Sequence, residues 1–158
     1  MKKPYFPMFV DLVGKQIKVI GGGKIALRRV KTLLCFGADI CVIAPKIREE
    51  FYSLESEGTL TFFEREYEKN DIQGADLVIA ASNGKEVNRC VYEACKEAGI
   101  LVNTVDDRRL CDFYFPSVVV TEDLVIGMNS MEHDPKKVKE ARSVIETMFE
   151  NERDYRSE

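Results

Sequence analysis

The stretch "VIGGGKIALRR" at residues 19–29 constrains the fold more than any other part of this 158-residue chain. An apolar run breaks into three glycines and resumes at helical spacing. Gly21-x-Gly23-x-x-Ala26 is a dinucleotide-binding fingerprint in its Ala-ending form. Its place after a strand and at a helix start gives it weight, since a bare glycine triplet means little. In that role the first glycine permits a tight turn, the second lets a pyrophosphate approach, and small Ala26 lets helix and strand pack closely. The helix start offers unpaired N–H groups and a positive dipole end to the phosphates. The alternative is a tight strand-to-helix turn that holds no ligand.

The flanking sequence supports the same architecture. "KQIKVI" (15–20) predicts a strand, and "KIALRRVKTLLCFG" a helix with Ile25, Ala26, Val30, Leu33 and Leu34 inward and a stop at Gly37. "DICVIAP" (39–45) is too uniformly apolar to have one wet face, which suits a central parallel strand. A helix through "REEFYSLESEG" and a strand at "LTFFER" follow, then a buried strand at "ADLVIAAS" (75–82). "KEVNRCVYEACKEAG" (85–99) is a helix with Val87, Cys90, Val91, Ala94, Cys95 and Ala98 inward, and "ILVNTV" (100–105) the next strand. Such alternation specifies a Rossmann-like, doubly wound α/β sheet, because parallel neighbours need crossover helices. We expect this dinucleotide-binding domain to span residues 1–112.

The pattern changes over residues 113–158. "FYFPSVVVTEDLVIGM" predicts two strands joined by a Thr-Glu-Asp turn, with no helix between them. An Asp-Pro start signal then opens a helix with Val138, Ala141, Val144, Ile145, Met148 and Phe149 on one stripe. That stripe needs a partner surface, either its own domain or a second subunit.

Composition narrows the function classes. Net charge is −4 with both signs mixed, which disfavours a coat for nucleic acid or an anionic membrane. The start "MKKPYFPMFVDLVGK" lacks a long apolar segment and a small-residue cleavage site, so it does not read as a signal peptide. No stretch approaches the roughly 18 consecutive apolar residues of a membrane span. Cys35, Cys41, Cys90, Cys95 and Cys111 are odd in number and show no CxxC spacing, against a disulfide framework or a thiolate zinc site. Most sit beside apolar neighbours, as small buried thiols do in a reducing cytoplasm. His133 is the single histidine, so no metal site is expected.

One element of an NAD site is missing. The second strand ends in Ala44-Pro45-Lys46, where an Asp or Glu usually accepts from the ribose hydroxyl. From these residues alone, either Lys46 meets a 2′-phosphate or backbone groups hold the ribose.

"PMFVDLVGKQIKVIGGGKIALRRVKTLL", "VIAP", "DLVIAASNGKEVN", "VNTVDD" and "CDFYFPSVV" together resemble the siroheme-synthase dehydrogenase (precorrin-2 dehydrogenase) family over roughly residues 4 to 128. The resemblance implies NAD-dependent oxidation of precorrin-2 to sirohydrochlorin, and some members also insert ferrous iron. It implies NAD as cofactor, since the family too has "AP" after the second strand. Its cofactor positions fall on Gly21, Gly22, Gly23, Lys24 and Ile25, on Pro45 and Lys46, and near Ala81 and Ser82. Its proposed catalytic aspartate falls on Asp106, as a general base; Asp107 is the neighbour with which it is confused. The bland reading of both is a polar turn or cap. Arg108 and Arg109, with Arg28 and Arg29 as further candidates, would receive the carboxylates of the tetrapyrrole, and Ser130 matches a family serine near the substrate. Family members are homodimers through the region after the Rossmann domain.

The match weakens beyond that. Met131 and Glu132 stand where the family has glycines, Asp134 replaces the serine before Pro135, and the family's helical third domain is largely absent. The rival readings are an enzyme that also chelates iron, and a paralogue that binds NAD or tetrapyrrole without catalysis.

Overall fold

A computed structural model describes residues 4–156 other than Thr59 and His133, without the side chains from Glu150 onward. The chain divides into two compact units, one over Val10–Tyr114 and one from the two chain ends, Met1–Phe9 and Phe115–Glu158.

The larger unit is built on five short strands, β1 (Gln16–Ile20), β2 (Asp39–Ile43), β3 (Thr61–Phe63), β4 (Leu77–Ala80) and β5 (Leu101–Thr104). They form one sheet in the order β3-β2-β1-β4-β5, with every pairing parallel. The crossovers carry helices α1 (Lys24–Leu34), α2 (Glu49–Ser56) and α3 (Lys85–Ala98), with a 3₁₀ turn at Lys69–Ile72 before β4. After β3 the chain crosses β2 and β1 to add β4 on the other side of β1. The crevice between the C-terminal ends of β1 and β4 is therefore the topological switch point, where open α/β sheets bind ligands.

Strand side chains alternate between the two faces. Ile20, Ile43, Val78, Ala80 and Val102 pack with Ile72 and with Val91, Ala94 and Cys95 of α3. On the opposite face, Arg29 of α1 reaches Asn103 of β5. Ile17, Val19, Val42, Val78 and Val102 are fully buried, as strands covered on both faces require.

Helical details differ from the sequence pattern. The buried stripe of α1 is Ala26, Leu27, Val30 and Leu33. Ile25 is exposed, and α1 ends at Leu34, three residues before Gly37. In α3 the buried stripe is Asn88, Val91, Ala94 and Cys95, so Cys90 and Ala98 face solvent. Two of the five cysteines, Cys41 and Cys95, are buried; Cys35 and Cys90 are exposed. Cys35 is the C-cap just past the last residue of α1 and Cys90 lies beside, not on, the buried stripe of α3, so apolar neighbours in sequence do not bury them.

The second unit holds an antiparallel hairpin, β6 (Ser117–Val120) and β7 (Val125–Met128), closed by Thr121 donating through its N–H to the Leu124 carbonyl at 2.9 Å. Helix α4 (Pro135–Arg156) packs against β6. Asp134 starts it, its carboxylate accepting from the N–H of Lys136 at 2.9 Å, with Pro135 in the first helical position. Val144 and Met148 stay exposed on the expected stripe. The expectation for His133 lies outside the described residues. Among the described residues, no helix is long and apolar enough to cross a membrane.

Candidate functional site

All the expected site residues of the larger unit follow C-terminal strand ends. Gly21–Gly23 follow β1, Pro45 and Lys46 follow β2, Ala81 and Ser82 follow β4, and Asp106 follows β5. The register places Ile20 beside Ala80 and Ala80 beside Thr104, so the loops after β1, β4 and β5 emerge side by side along one edge.

The three glycines have three different reasons. Gly21 has φ +131°, where side chains are strained, and a Cβ there would lie 2.3 Å from the Ala81 carbonyl oxygen. A Cβ on Gly22 would lie 2.4 Å from the Lys46 carbonyl oxygen. In both cases the approaching group is the protein's own backbone: the loops after β4 and β2 close onto the turn. Arg48 ties the second loop down, its N–H donating to the Gly22 carbonyl at 3.2 Å. At Gly23 a Cβ would meet nothing within 4 Å. That side of the turn is open, and it is the position at which the fingerprint brings in a pyrophosphate.

The start of α1 fits that anion. Gly23 is its N-cap, no side chain caps it and no acidic residue stands in the first turn. The first intrahelical bond runs from the Leu27 N–H to the Gly23 carbonyl, so the N–H groups of Lys24, Ile25 and Ala26 point out of the helix end. The unfilled Gly23 cradle and this uncapped, acid-free helix start are the observations on which NAD(P) fits the site.

The wall after β4 is clasped by a residue that the pattern alone did not single out. Asn88, buried in α3, accepts from the Ser82 N–H and donates to the Ser82 carbonyl, both at 3.0 Å. The Ser82 hydroxyl accepts from the Gly84 N–H at 3.1 Å. A polar residue on an otherwise apolar helical stripe was the available signal.

The loop after β5 separates the two aspartates. Asp107 caps the 3₁₀ turn Arg108–Leu110, accepting from the Arg109 N–H at 3.0 Å, and its other oxygen accepts from the Arg109 Nη2 at 2.7 Å. Its carboxyl is held down to about 2 by the Arg109 side chain first and then by the Arg109 backbone N–H. Asp106 is exposed and has no hydrogen-bond or ion-pair partner among the described residues. The cap reading thus belongs to Asp107, and Arg109 is taken up by it. Arg108 lays its guanidinium over the Tyr114 ring, 4.4 Å from the centroid.

The depressed Asp107 value makes a checkable prediction. A carboxyl whose folded value lies below its ordinary 3.8 stabilises the fold above that value and loses the contribution as pH falls towards 2. The clasp on the 3₁₀ turn is therefore intact across neutral and mildly acidic pH. In Arg109→Ala the Asp107 carboxyl is expected to titrate higher than about 2 yet still below its ordinary 3.8, because the backbone N–H at position 109 remains, read by carboxyl-carbon NMR. An unchanged titration would remove Arg109 as the cause.

Beneath the loop lies a polar network. The buried Asn103 side chain accepts from Arg29 and donates to the Phe113 carbonyl at 2.7 Å. Burial pushes the Arg29 guanidinium down to about 10, so it stays charged at neutral pH. The Thr104 hydroxyl donates to the Asp107 carbonyl at 2.6 Å, and the Cys111 thiol lies 3.2 Å from the Thr104 carbonyl. These contacts fold the chain after Asp106 back onto β5. In the second unit, the Ser130 hydroxyl accepts from the Asp134 N–H at 3.0 Å and so shapes the entry to α4.

Residues 8–117 match the model of the family described as "Putative NAD(P)-binding". The chain is 46% identical over 129 residues to the "Probable multifunctional siroheme biosynthesis protein HemA" of Ruminiclostridium josui, covering 82% of this chain and 25% of that protein. It is 35% identical over 145 residues to "Siroheme synthase 1" of Cronobacter sakazakii, covering 92% of this chain and 31% of that protein. The chain therefore spans between a quarter and a third of these relatives. Among solved structures it resembles "SirC, precorrin-2 dehydrogenase", with a TM-score of 0.76 and 25% identity over 90% of this chain and 70% of that one. With the open Gly23 cradle at the switch point of its sheet, the chain belongs to the NAD(P)-binding family in the form carried by the siroheme-synthase dehydrogenases.

Proposed function

We propose that this protein oxidises precorrin-2 to sirohydrochlorin with NAD, with Asp106 as general base. The observation that carries this is the pairing of an open, uncapped dinucleotide cradle after β1 with an exposed, unengaged carboxylate after β5, on the same edge of the sheet. When bound, the nicotinamide supplies the hydride acceptor. The chain's own contribution is positional and acid–base. Gly21, Gly22 and Gly23, the N–H groups of Lys24 and Ile25, and the backbone of Pro45, Lys46, Ala81 and Ser82 hold the dinucleotide. Asp106 takes the proton that leaves the macrocycle as the hydride departs, so each turnover removes one hydride and one proton from the substrate. A positioned base of this kind contributes about 10²–10⁴-fold.

The substrate is an acidic tetrapyrrole and the chain carries a net charge of −4, so local cations must receive it. Arg108 and Arg109, which follow β5, are the groups we assign, Arg109 by exchanging its exposed side-chain pair with Asp107 for a substrate carboxylate, with the charged Arg29 held on Asn103 of the same unit. We place the protein in the cytoplasm as a homodimer, the exposed Val144 and Met148 of α4 and the β6–β7 hairpin forming the subunit contact.

The test is anaerobic: purified protein, precorrin-2 and NAD, with sirohydrochlorin absorbance and NADH followed together. Stoichiometric appearance of both is the expected result. Binding of NAD without either product would overturn the enzyme and leave a dinucleotide-binding paralogue.

A further inference from the structure

We infer that Arg29 is a positioning residue for the base: through Asn103 it sets the loop that carries Asp106, from the same helix whose start forms the dinucleotide cradle. The inference rests on the reading of Asp106 as general base, and adds to it a residue that acts without touching the reacting atoms. Arg29 follows Gly23 by six residues, roughly 9 Å along the axis of α1. Its helical neighbours Arg28 and Lys31 are exposed, whereas Arg29 reaches across to β5 and donates through Nη1 to the Asn103 side-chain oxygen. Asn103 is buried, and its amide nitrogen donates to the Phe113 carbonyl at 2.7 Å. A guanidinium can only donate and a carbonyl can only accept, so these two partners fix one orientation of the amide.

The base depends on that orientation because its own side chain is not anchored. The Asp106 carboxylate has no hydrogen-bond or ion-pair partner among the described residues, so its place is that of the backbone carrying it. That backbone leaves the sheet at Val105, whose N–H donates to the Ala80 carbonyl at 3.0 Å. It returns at Asp112, whose N–H donates to the Val102 carbonyl at 2.9 Å. Asn103 ties the outgoing strand to the returning chain at Phe113, and Arg29 directs Asn103. Without Arg29 the buried Asn103 oxygen loses this donor, and the amide no longer has a reason to face Phe113 with its nitrogen. An apolar side chain at position 29 would hold α1 on the sheet with no charge to desolvate. Burial instead holds a guanidinium there down to about 10, still charged, and what the charge supplies is direction. A catalytic group misplaced by about 1 Å loses on the order of 10²-fold in rate, which sets the scale of the expected effect.

Arg29→Met, Arg29→Lys, Asp106→Asn and the double variant Arg29→Met with Asp106→Asn are compared with wild type in the anaerobic assay. NAD affinity by calorimetry and the Asp106 carboxyl-carbon NMR signal without substrate are measured beside it. Arg29→Met is expected to lower kcat by roughly 10–10²-fold, with NAD affinity and the KM for precorrin-2 unchanged, and Arg29→Lys to recover most of the loss. In the Asp106→Asn background the same change is expected to lower kcat little further, because no base is left to position. Losses that multiply across the two backgrounds give Arg29 a merely structural role and overturn the inference, as does full activity in Arg29→Met. A raised KM for precorrin-2 with kcat intact makes Arg29 a contact for substrate carboxylates and overturns it too. Should Arg29→Met fail to fold, Arg29→Gln, polar but shorter than arginine, takes its place with the same expectations. The NMR readout needs no turnover: the Asp106 signal is expected to move in Arg29→Met and to return in Arg29→Lys. If even wild type leaves precorrin-2 unchanged, the reading of Asp106 as base falls. A moved signal then still assigns the loop to Arg29, and an unmoved one overturns that as well.

Discussion

Asp106→Asn is expected to lower turnover of precorrin-2 by about 10²–10⁴-fold while leaving NAD affinity and thermal stability unchanged. The substitution keeps the shape of the side chain and removes its basicity. Stability should not move, because the Asp106 carboxylate has no partner among the described residues to lose. The matched control is Asp107→Asn, which predicts the reverse pattern. Asp107 holds the turn Arg108–Leu110 through three contacts with Arg109, so its loss loosens the loop and moves Arg109 before it touches chemistry. The comparison requires kcat, KM, NAD affinity and Tm on all three proteins. Equal losses of kcat in the two variants would mean that the loop, not one carboxylate, is what catalysis needs. Full activity in Asp106→Asn would remove the base.

That two adjacent aspartates have such different surroundings was not legible in "VNTVDD". Pattern and resemblance placed both at the end of β5, yet capping geometry depends on where the next three residues turn. The fold was more readable, because strand–helix alternation is a local signal and a parallel sheet follows from it. What escaped was polar and long-range. Asn88 and Asn103 sit buried among apolar neighbours, each held by contacts whose partners are fixed only by the tertiary structure. Asn88 grips the loop after β4 from α3, six residues on, and Asn103 joins α1 to the chain after Asp106. Periodicity assigns such positions to the core by phase and says nothing of what they bond. The same limit applies to the glycines, where the fingerprint weights the first and third and passes over the middle one.

That middle glycine gives the sharpest test of how the cradle is built. Gly22→Ala is expected to destabilise the fold, and Gly23→Ala to leave stability intact while weakening dinucleotide binding. A methyl on Gly22 would sit 2.4 Å from the Lys46 carbonyl oxygen and 3.0 Å from the Ile47 Cα, so backbone must move to admit it. Overpacking of that kind costs about 1–3 kcal/mol. For a chain of this size each kcal/mol lowers Tm by roughly 2–4 °C. Gly23 has φ −86° and ψ −174°, extended values open to any residue, and a methyl there meets no protein atom within 4 Å. It would occupy the space that a pyrophosphate needs against the start of α1, so NAD affinity should fall while Tm without ligand holds. Thermal melts with and without NAD decide the matter. A destabilised Gly23→Ala would mean that the turn is closed on that side too, and that the phosphates lie elsewhere. A stable Gly22→Ala with normal NAD binding would mean that the loop after β2 is free to withdraw, and that the rim it forms with Arg48 is not fixed.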